Sequence, residues 1–189
     1  VLEKEYRRAA EYALKALETD ARSVNALEVL AAAHRLAGRK AEADRVLTRL
    51  LDLDPLDHLA RFERYLLNRN PKDLDLCRSL IRNELPHETW LEMATFYVRL
   101  GLVDDAAAAL KAAPVHPTVL YGLAYLLRDS SPSESAAWLE EASAMSPHLV
   151  FPFREEEISV FSWAVAARPA DWKPKYYLAL ILWGKGRLE

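Results

Sequence analysis

Residues 90–106 read WLEMATFYVRLGLVDDA. Trp90, Met93, Ala94 and Tyr97 fall at helical spacing and so share one face of an α-helix. Gly101 follows where that helix must end, at a place that favours positive φ. Ala106 and Leu110 then line a second segment. The unit reads as helix, tight turn, helix, with small residues at Ala94 and Ala106 where the two helices approach closely.

Working outward, the same design lies between Val24 and Pro55. Asn25 to Ala37 carries Leu27, Leu30, Ala31, His34 and Ala37 on one face, and Gly38 ends it. Lys40 to Leu53 presents Ala43, Val46, Leu47, Leu50 and Leu51 inward. Pro55, Pro86, Pro117 and Pro147 mark the beat, 31, 31 and 30 residues apart. A fourth unit carries Val119, Gly122, Leu123 and Leu126. Ser131-Pro132-Ser133-Glu134 follows as an N-cap, a first-turn proline and a capping-box acid. Asn70-Pro71-Lys72-Asp73 plays that part in the second unit. These signals predict helices near 3–18, 24–37, 40–53, 57–68, 71–83, 87–99, 103–112, 117–128, 133–145, 155–167 and 174–185.

The chain then divides into a half repeat over 1–20, four repeats over 21–148, and an irregular plus a truncated repeat over 149–189. The half repeat packs through Ala9, Ala13 and Ala16. From Leu149 to Lys175 the alternation is expected to break, because one helix lies between two segments that both read as repeat-starting. Helical sequence runs to Glu189, and both ends read as cuts through repeats.

The order Trp90, Met93, Ala94, Tyr97, Gly101, Ala106 resembles the tetratricopeptide repeat, as does Leu27, Leu30, Ala31, His34, Gly38, Ala43, Leu47, Leu50, Pro55. Lys175-Tyr176-Tyr177-Leu178-Ala179 with Gly186-Arg187 resembles a further first helix. The second and fourth units lack the turn glycine. The resemblance implies an all-α, right-handed superhelical solenoid of antiparallel helix pairs, about eleven helices long. It implies a protein-interaction scaffold binding a partner's protein or peptide segment on its concave face. The C-terminal third also resembles the helical tail of large bacterial proteins with a preceding β-rich, glycan-related domain. That likeness implies the alternative of a non-catalytic helical region in a larger glycan-processing enzyme.

Composition agrees with helix: 51% of residues are hydrophobic and only 5 are glycine. Lys+Arg number 25 against 28 Asp+Glu, giving a net charge of −3 and no electrostatic case for nucleic acid. No apolar run is long enough to span a bilayer. Cys77 stands alone and reads as a core residue. His58, His87 and His116 recur 29 residues apart at unit starts, on successive units one unit's thickness from each other. No histidine pair has the spacing of a helical zinc site, so no metal is expected. Neither a nucleophile motif nor a phosphate loop occurs, so neither catalysis nor a cofactor is expected.

First helices of stacked repeats line one concave surface. The positions projecting there are Arg35, Phe62, Leu66, Arg69, Leu91, Thr95, Arg99, Leu120 and Arg128, with Tyr176 continuing the surface. Arg35, Arg69, Arg99 and Arg128 end successive first helices. They read either as a basic ridge for an acidic partner or as favourable cations at helix C-termini. The Lys/Asn/Arg set with which some family members grip chaperone tails is not reproduced: Glu28, Ala32, Phe62 and Leu66 hold those places. Self-association through cut repeat ends is a further expectation. The small contact residues carry a direct test. Ala43→Leu should overpack the joint and cost about 1–3 kcal/mol in chemical denaturation.

Overall fold

A helix that buries one apolar stripe needs a neighbour to cover it, and here each helix finds that neighbour next along the chain. The computed structural model describes residues 2–186, with side chains described from residue 5. Eleven α-helices lie among the described residues, with no strand. The first compact unit, Val1–Asn83, holds α1 (Leu2–Thr19), α2 (Val24–Leu36), α3 (Lys40–Leu53), α4 (His58–Asn68) and α5 (Pro71–Leu80). The second, Glu84–Glu189, holds α6 (Pro86–Arg99), α7 (Val103–Ala112), α8 (Pro117–Leu127), α9 (Pro132–Ala144), α10 (Glu157–Ala167) and α11 (Lys173–Gly184). Arg187, read as part of a further first helix, and the helical reading as far as Glu189 lie outside the described residues.

The glycine turns close as the sequence implies. Gly38 (φ 72°) and Gly101 (φ 74°) are left-handed. Arg39 N–H donates to His34 O at 2.9 Å, and Leu102 N–H to Tyr97 O at 2.8 Å. Both are the long backward bond of a Schellman closure, which satisfies a carbonyl left over at the helix end. Where α4 lacks a glycine, Arg69 itself takes the left-handed conformation (φ 53°). Asn70 caps α5, its side chain accepting from Lys72 N–H at 3.1 Å. Helix α5 stops at Leu80, short of the expected 83, because Ile81 turns extended and buries its side chain. Ser131 makes no side-chain cap. Glu134, expected to complete that box, instead pairs with Lys111 at 2.8 Å and accepts from the Trp138 indole at 3.3 Å.

In the first unit α1, α2, α3, α4 and α5 pack in succession, and α2 also touches α4. Leu27, Ala31, Ala43, Leu47 and Leu50 are completely or almost completely buried. Helix α1 joins them through Ala10, Ala13 and Leu17. Ala16 is exposed, so the packing face is turned slightly from the expected one. Cys77 is fully buried, and burial pushes its thiol up to about 11. The α2–α4 contact is ionic: Arg35 Nε and Nη2 donate to Glu63 Oε2 and Oε1 at 2.7 and 3.0 Å. Glu63 is 1% exposed.

In the second unit α6–α7, α7–α8 and α8–α9 pair in order. Residues 145–156 then carry the chain so that α10 lies against α8, and α11 against α10. Helix α10 thus takes the place of a first helix and α11 that of its second, whereas the sequence pattern assigned α11 the first-helix role. Tyr121, Phe161 and Tyr177, from α8, α10 and α11, meet at centroid separations of 5.3–6.0 Å and close this core.

The Arg35–Glu63 pair gives the test for the first unit. Glu63→Gln leaves a guanidinium buried without its counter-charge and should cost about 3–5 kcal/mol in urea denaturation. Arg35→Met combined with Glu63→Leu should recover most of that loss.

Candidate functional site

Helices α6, α8 and α10 surround a cavity of about 80 Å³ within the second unit. Leu91, Thr95 and Val98 line it from α6, Gly122 and Tyr125 from α8, and Val160 from α10. Gly122 leaves little room behind it, since a Cβ there would meet Leu110 Cδ1 of α7 at 2.9 Å. The equivalent register in the first unit is closed. Arg35 lies three residues before Gly38 and is tied to Glu63, while Val98 lies three residues before Gly101 and is 43% exposed.

The cavity's rim at the helix N-termini is polar. Arg154, leading into α10, holds Glu88 of α6: Nε and Nη2 lie 3.1 and 2.9 Å from Oε2. Its Nη2 also donates to the Glu88 carbonyl at 3.3 Å. Arg99 is ion-paired with Glu156. Glu157 is buried, and its Oε2 accepts the Arg154 backbone N–H at 3.0 Å. Burial first, then the nearby Glu88 charge, raises the Glu157 carboxyl to about 7. Beside them His87 and His116 stack with ring centroids 3.6 Å apart, closer than the repeat spacing implied. His87 Nε2 lies 3.3 Å from Glu88 Oε1, and His116 Nδ1 lies 2.7 Å from Thr118 Oγ1. Burial, then the neighbouring His87, lowers His116 to about 4. Among the described residues no cluster of three metal-ligating side chains forms.

The residues projected onto this surface divide sharply. Phe62, Leu66 and Leu120 are 0%, 3% and 2% exposed and belong to the packing, not to a contact surface. Leu91 is buried as well, but it forms part of the cavity floor. Thr95 lines the cavity with its hydroxyl donated to Leu91 O at 2.9 Å. Tyr176 is exposed on α11 beside Trp172, away from the cavity lining.

Three of the four arginines already have a carboxylate beside them. Arg35 is consumed by Glu63, Arg99 is paired with Glu156, and Arg128 lies 3.3 Å from Asp129 and 3.9 Å above the Tyr125 ring. Arg69 is exposed, its guanidinium 5.9 Å from the Tyr65 ring.

Sequence reasoning did not project Val98, Tyr125, Val160 or Glu157 onto the site. Helices α8 and α10 are apolar on nearly every side, so periodicity gives no phase. The one available signal was the acidic run 155–157 opening an apolar helix.

Paired helices, a glycine-closed turn and a groove on the first-helix side define a helical-repeat protein. Residues 91–149 match the tetratricopeptide repeat family, and the pairwise-packed helices of the described residues agree with a helical solenoid of that kind. A comparison with curated proteins finds no match. Such repeats generally mediate protein–protein interaction, and their fold is typically non-catalytic. No helix among the described residues is long and apolar enough to cross a membrane.

The buried acid gives a test with a definite sign. A carboxyl whose folded value lies near 7, against 4.5 in the unfolded chain, favours folding while protonated. That contribution is complete below about 4.5 and is lost as pH rises through about 7. Glu157→Gln keeps the acceptor for Arg154 N–H and removes the charge. In denaturation across this window the variant should match the wild type at the acid end and exceed it by about 2–3 kcal/mol above neutrality.

Proposed function

We propose that the second unit binds a protein segment along the face of α6, α8 and α10. The observation that carries this reading is the apolar cavity on that face, whose α6, α7 and α8 lining lies in the stretch that matches an interaction-repeat family. The cavity is too small for a helix and suits single side chains from an extended segment. Its walls are aliphatic and aromatic, and its polar groups gather at one end, the usual composition of a ligand site. Tyr176, on α11, lies off this lining. At its rim Arg154 and Glu88 hold α10 to α6.

A photo-crosslinking residue placed at Val98 or Val160 tests this in the native host. Adducts from both positions to one segment of one protein are expected, and few from a control at exposed Glu141 on α9. Adducts confined to the α9 control would sink the reading.

A further inference from the structure

The rim charges of the cavity do not cancel. Arg154 is matched by Glu88 and Arg99 by Glu156. Glu157 is 7% exposed and lines the cavity, and no described cation is ion-paired with it. Its carboxylate is held by the Arg154 and Phe153 backbone, and the only nearby cation that acts on it among the described residues, Arg154, is itself ion-paired with Glu88. The wider surface leans the same way. Along residues 86–99, 117–129 and 154–167 there are six acids and three arginines, with no lysine. An acidic partner, as the four arginines suggested, meets repulsion here.

A buried carboxylate without a cation of its own is costly to hold ionised. A ligand that supplies the cation relieves that cost and gains a short ionic hydrogen bond in a water-poor setting. The adjoining walls, Val98, Tyr125 and Val160, supply the apolar half of the site. An aliphatic or aromatic side chain and a neighbouring cation are what this pairing recognises.

We infer that the partner segment is basic and apolar: an apolar side chain enters the cavity, and an adjacent lysine or arginine meets Glu157 at its rim. The inference rests on the docking face proposed above and adds the chemistry of what docks there.

A random peptide library displayed on phage and selected on the whole chain decides it. Peptides recovered should pair Lys or Arg with Leu, Ile, Val or Phe. Their affinity should fall by on the order of tenfold on Glu157→Gln, which preserves the acceptor to Arg154 N–H. They should also lose binding to Val160→Glu, which fills the cavity with a charge. Acidic peptides that still lose binding to Val160→Glu overturn the inference and leave the docking face standing. Basic peptides indifferent to Glu157→Gln do the same. A selection that yields nothing above the Val160→Glu background overturns both.

Discussion

Two helices close on each other only where one side chain at their crossing is small, and that constraint runs through both units. Ala31 and Ala43 supply the small contacts between α2 and α3, and Ala94 and Ala106 do so between α6 and α7; all four are buried. Gly38 and Gly101 then reverse the chain in a conformation that side chains resist. Once a pair is closed, the first helix still has a face that its partner does not cover. The two units treat that face differently.

In the first unit the face is stitched shut. Arg35 reaches from α2 to Glu63 on α4, and the two charges satisfy each other with little contact to water. In the second unit the same register holds Val98, which lines the cavity instead of making an ion pair. The ionic contact moves instead to the helix N-termini, where Arg154 grips Glu88 across 66 residues of chain. That grip fixes the irregular stretch between α9 and α10. It sets α10 beside α6 and α8, with Val160 facing the cavity they share. Pro152 and Val150 are buried along the way, while Phe151 and Phe153 remain exposed.

The polar rim has a consequence for electrostatics. Stacked His87 and His116, Glu88, Arg154 and Glu157 form a run of groups whose charges depend on one another. His116 is held neutral by burial, while Glu157 is pushed toward neutrality by the same cause. The site therefore sits near the pH where its own net charge changes, and a cationic ligand would draw Glu157 back to its ionised form.

The repeat was legible from residues 90–106 alone, because helix period, turn glycine and small contact residues are local and point the same way. Helix boundaries fell close to the expected ones for the same reason, except where Ile81 left α5 to bury itself. The site was legible only in part. Thr95 and Leu91, on a helix with a clear polar side, line the cavity. On α8 the projection chose Leu120, which is core, and passed over Tyr125. A helix apolar all round carries no phase in its sequence, so its neighbours decide which side stays open. The arginines look alike as helix-ending residues, yet each has a different carboxylate or ring beside it. Sequence determined the repeated pairs and their turns through interactions spanning a few residues. Tertiary structure alone decided which face is sealed and which is open, because that depends on charges brought together from distant parts of the chain.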